Sequence, residues 1–65
     1  MKLNAKDMDH PNFWSINRVA RKQVGDALSH DFLGKMNDHE AKAVDDAVNA
    51  LTKVLLMQDA RAVAA

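Results

Sequence analysis

Cysteine is absent from this 65-residue sequence. That excludes a disulfide-stapled small protein and a cysteine-ligated zinc module. Glycine occurs twice and proline once, too few to punctuate a β fold. Both glycines, Gly25 and Gly34, are isolated, so no glycine-rich phosphate loop is present. Charge of one sign is missing too: nine Lys and Arg balance nine Asp and Glu. A chain of zero net charge and sequence pI about 6.8 has little electrostatic pull on nucleic acid. No apolar run exceeds four residues, such as Val54 to Met57, so no membrane span is expected. The first ten residues lack an apolar stretch behind Lys2, and a secretory signal is not expected either. A cytoplasmic location follows as the expectation.

What remains is helical material for one domain. Apolar residues make up 48% of the chain, but eleven of them are alanine and only Phe13, Trp14 and Phe32 are aromatic. The core is therefore thin. Chains this short bury only about 60% of their unfolded surface and usually need a staple, a metal or a partner.

The first helix is expected over about residues 11–28, with Pro11 in the first turn, where a missing N–H is harmless. Phe13, Ile16, Ala20, Val24 and Ala27 recur at helical spacing, widened by Val19 and Leu28. The second is expected over about 38–61. Its start is marked by Asn37 with Glu40 three residues on, a reciprocal capping box. Its seam reads Ala41, Val44, Val48, Leu51, Leu55, Gln58, Ala62. Leu56 falls on the polar side, beside Asn49 and Lys53. Between the helices, Ser29 or His30 caps a short helical turn at 31–33, and Phe32 and Leu33 plug the end of the core. Residues 1–9 read as an N-terminal arm, ordered only if something holds it, and 62–65 as a fraying tail. The fold class is all-α, a two-helix antiparallel hairpin forming a single domain over 1–65. In size and helix layout it resembles small dimeric helical hairpins of plasmid and phage regulators, although no motif ties it to one family.

The second helix carries more apolar surface than one neighbour can cover. At 100° per residue its Ala, Val, Leu and Met positions span about 200°, where a single packed helix needs about 100°. The hairpin is therefore expected to complete a four-helix bundle, by dimerisation or by docking on a partner. Val44, Ala47, Val48, Leu51, Val54 and Leu55, with Phe13, Ile16, Ala20 and Val24, are the expected contact residues. Trp14 lies opposite Val19; it either anchors a partner or is covered by the arm. Arg18, Arg21 and Lys22 form a basic cluster that Asp45, Asp46 and Asn49 could neutralise, or that sets specificity towards an acidic partner.

Chemistry-bearing residues are sparse. His10, His30 and His39 have no i, i+4 partner among themselves, and no metal or cofactor is expected. Ser15, Ser29 and Thr52 sit in no nucleophile elbow, and a hairpin encloses little space, so an enzyme is not expected. Asp7, Asp9, Asp31 and Asp38 suit helix ends or loops. Asp26, Asp45, Asp46 and Asp59 have no such role in the sequence. The expected function is a small non-enzymatic interaction module, a regulator or inhibitor that occludes or bridges a protein surface. A minor structural component of a larger particle, for example a viral one, is the alternative. A nucleic-acid-binding hairpin dimer ranks third.

Overall fold

The computed structural model describes residues 3–64, with side chains to residue 62. Four helices follow one another: α1 over Ala5–Met8, α2 over Phe13–Ala27, α3 over His30–Gly34 and α4 over Asp38–Ala64. No strand occurs among the described residues. The two long helices, α2 and α4, pack against each other. Three pairings fix their sense: His10 with Asp59, Asn17 with Thr52, and Arg21 with Asp45. Residue numbers rise on one side and fall on the other, so the helices run in opposite directions. No described helix is long and apolar enough to cross a membrane.

The expected caps are present. Asn37 Oδ1 accepts from the Glu40 N–H at 2.8 Å, and Glu40 Oε1 accepts from the Asn37 N–H at 3.1 Å. Such a cap supports a helix by about 1 kcal/mol. Ser29 Oγ accepts from the Phe32 N–H at 3.1 Å and starts α3. Boundaries differ at the other ends. Pro11 lies in the turn ahead of α2 and not in its first turn. The reason is local: the His10 carbonyl accepts from the Phe13 N–H, and His10 Nδ1 accepts from the Asn12 N–H. The turn closes on His10 before the helix begins. At the C-terminal side α4 continues through Ala64, beyond the expected end at 61; Ala65 lies outside the described residues.

The arm expected over 1–9 is largely a capped helical turn in α1; residues 1 and 2 lie outside the described residues. Asn4 and Asp7 form a second reciprocal capping box, each side chain accepting from the other's backbone N–H. Two long-range pairings tether this turn to α4: Lys53 to Asp7 at 3.4 Å and His10 to Asp59 at 3.1 Å. The Asn12 N–H pointing at Nδ1 leaves the proton on Nε2, which donates to the Asp59 carboxylate.

The core is rotated from the seam expected on α4. Its buried line is Val48, Thr52 and Leu56, one residue per turn. The expected seam residues Ala41, Gln58 and Ala62 are exposed, as is Ala27 on α2. At 100° per residue the rotation is about 70°. Leu56, placed on the polar side by the sequence, is only 7% exposed. Two facts account for this. Thr52 is fully buried and behaves as an apolar residue, because its hydroxyl donates to the Val48 carbonyl at 2.7 Å and accepts from Asn17 Nδ2 at 3.1 Å. And α1 lies on the Leu56 side, lining a groove there with Lys53, Leu56 and Met57.

Candidate interaction surface

The rotation makes the two flanks of the α2–α4 layer unequal. Seen down α4, Val44, Leu51 and Leu55 lie on one side of the buried line, and Asn49 and Lys53 on the other. The chain's own N-terminal turn occupies the Lys53 side. Nothing in the chain covers the other side among the described residues. Two shallow grooves mark this open flank. One, about 340 Å³, is lined chiefly by Ile16 and Val19 of α2 and Leu55 and Ala62 of α4. The second, about 260 Å³, lies between Val24, Leu28 and Phe32 on one wall and Ala43, Val44 and Ala47 on the other. Phe32 is thus half-buried at the end of the layer, as a core plug should be.

The expected contact residues divide. Phe13, Ala20 and Val48 are buried between α2 and α4. They hold the chain's own core and are not available to a partner, which corrects their place in the interface set. Ile16, Val24, Val44, Leu51 and Leu55 are half-buried along the open flank. Ala47 is exposed there, and so are Val19 and Val54, the latter 50% exposed. Trp14 is 70% exposed, so the N-terminal turn does not cover it. Its ring meets Phe13 edge-on, with centroids 5.0 Å apart and planes at 81°. This contact orients the indole without hiding it.

The basic cluster is split in the same way. Arg21 reaches Asp45 on α4 at 3.6 Å, one of the pairings the sequence offered. Lys22 turns instead to Asp26 on its own helix at 3.8 Å, and Arg18 makes no ion pair among the described residues. Both pairs are largely exposed and add little stability, each under about 1 kcal/mol. They do give partners to Asp26 and Asp45, two of the aspartates without a cap or loop role, and a third, Asp59, meets His10. Asn17, Thr52, Asp7, Lys53 and the His10–Asp59 pair were not singled out by sequence reasoning as a set. Of these only Thr52 had a signal available in the sequence, its four-residue spacing from Val48 and Leu56.

Acid should release the N-terminal turn. The Asp7 carboxyl is held below its ordinary value of 3.8, first by the Asn4 backbone N–H and further by Lys53, against burial, which raises it. A lowered folded-state value means the stabilisation is present above about 3.8 and is lost as pH falls through the lower folded value. Amide exchange at Asn4 and Asp7 should therefore accelerate below that pH, while Asp7→Asn loses this acid step. A turn that stays protected in strong acid contradicts the assignment.

No group of three or more His, Cys, Asp or Glu side chains that could hold a metal occurs among the described residues. His10, Ser29 and Asp7 are already engaged in turns and caps. No protein-family model matches the chain, and no curated protein or solved structure is significantly similar to it.

Proposed function

We propose that this chain is a small non-enzymatic protein–protein interaction module. It acts as a regulator or inhibitor, occluding or bridging a protein surface with its helical faces, and its hairpin completes a four-helix bundle on a partner chain. The open apolar flank carries this reading. Val19 lines one of its grooves and Val54 stands at its outer edge, both about half exposed. Aliphatic residues of α2 and α4 supply most of the groove walls, with Ser15, Gln58, Asp59, His39 and Glu40 among the polar remainder. Contiguous exposed apolar surface of this kind marks a binding site in a small protein. Affinity would come from Leu51, Val54, Leu55 and Val44. Trp14, with Arg18 and Arg21 at i+4 and i+7, offers a separate aromatic and basic stripe that sets specificity for a target.

A photoreactive residue placed at Val54 or Val19 in the source cell tests the reading. Discrete protein adducts are expected from both positions, and none from Lys42 on the polar side of α4. Equal, diffuse labelling from all three positions, or none, refutes it. Because the apolar flank and the Trp14 stripe are separate, a structural component seated between two neighbours remains the second reading. Adducts to one protein from Val54 and to a different one from Trp14 would favour it.

A further inference from the structure

We infer that the occupant of the open flank is a second copy of this chain, related by a two-fold axis, so that the α2 and α4 of each copy form one four-helix bundle. The inference rests on the reading of that flank as a binding surface and names its partner. Three observations carry it.

The first is area. The chain exposes 5102 Å². A compact monomer of 7.2 kDa is expected to expose about 4,100 Å². The excess is roughly 1,000 Å², and a standard stable interface takes about 800 Å² from each partner. One self-contact removes an excess of that size.

The second is shape. The chain measures 42 × 21 × 15 Å, with a radius of gyration of 13.1 Å. A compact domain of this length has a radius near 10.7 Å. The shortest dimension leaves room for one layer of helices, whereas domains are built from two packed layers.

The third is charge. A two-fold contact sets a patch against itself, so any unpaired charge in its middle would face its own kind. The middle of this flank is Ile16, Val19, Val44, Ala47, Leu51 and Leu55, all uncharged, with the uncharged Val54 at its outer edge. The acidic groups at the groove ends are already bonded, Glu40 to the Asn37 N–H and Asp59 to His10. An acidic or basic partner would find no complement here. A copy of the same aliphatic surface does.

Light scattering on the full chain over a range of concentrations decides the matter. The native chain is expected at twice 7.2 kDa, with a melting temperature that rises with concentration. Val54→Asp and Val19→Asp, both at half-exposed sites, should weaken the dimer about 30-fold or more. Trp14→Ala, on the other side of α2, should leave its mass unchanged. Circular dichroism at high concentration separates dissociation from unfolding. A native chain at 7.2 kDa throughout overturns the inference, and so does a dimer dissociated by Trp14→Ala but not by either aspartate. If the native chain is monomeric, Val54 adducts to another protein keep the flank as a binding surface. The absence of any adduct removes that reading too.

Discussion

Phe13→Ala should abolish most of the stability of this chain. Phe13 opens α2, is 3% exposed, and is the one buried aromatic among the described residues. Removing a buried phenyl ring costs about 3–5 kcal/mol, because the atoms lose their burial and leave a cavity. A 65-residue chain has only about 3–10 kcal/mol to lose. The ring also supports the Trp14 edge contact and sits next to the turn that ties α1 to α4 through His10. Truncation therefore loosens the N-terminal turn as well as the contact between α2 and α4. Urea titration followed by circular dichroism, at one fixed protein concentration, should show a midpoint near zero denaturant for Phe13→Ala. Phe13→Leu, which keeps much of the volume, should stay within about 1.5 kcal/mol of the native chain. A loss below about 1 kcal/mol for Phe13→Ala would mean that the packing between α2 and α4 is not centred on this ring.

Ala20→Leu should be nearly as damaging, for the opposite reason. Ala20 is completely buried on the face of α2 that meets α4, one turn beyond Asn17. A methyl side chain there lets the two backbones approach. A larger side chain must either leave its preferred rotamer or push the helices apart, at a cost of about 1–3 kcal/mol. Moving them apart also stretches the 3.1 Å bond from Asn17 Nδ2 to the Thr52 hydroxyl and wets a buried polar group. Ala20→Gly is the control. It adds no volume and should cost about 1 kcal/mol through helix propensity and up to about 1 kcal/mol more for the lost buried methyl group. The Asn17 side-chain amide resonances should shift in Ala20→Leu and hold their position in Ala20→Gly. If Leu is tolerated better than Gly, α2 and α4 do not meet closely at this position.

These two positions were plain in the sequence, and their neighbours across the interface were not. Phe13 and Ala20 belong to the α2 stripe under any reading, because both lie on its centre line, with Val19 on one side and Trp14 and Leu28 on the other. On α4 the apolar arc is about twice as wide as one neighbour requires, so periodicity alone admits several rotations. Thr52 and Leu56 stood outside the expected seam for that reason. A threonine counts as polar in a pattern. In a helix, however, its hydroxyl can bond the carbonyl four residues back, and Thr52 does so with Val48. Its methyl group is then free to pack, and Asn17 takes up the remaining lone pair.

The two long helices, the Asn37–Glu40 and Ser29 caps, the absence of strand signals and the surplus of apolar surface all depend on neighbours within about four residues. Short-range rules suffice for these, and they can be read along the chain. The side of that surplus left open depends on contacts between residues about 24 to 49 apart, namely Arg21–Asp45, Asn17–Thr52, His10–Asp59 and Lys53–Asp7. Each requires the chain to have folded back before its partners can meet. The N-terminal turn chooses the Leu56 side by those contacts, and the Val44–Leu51–Leu55 side is left to water or to another chain.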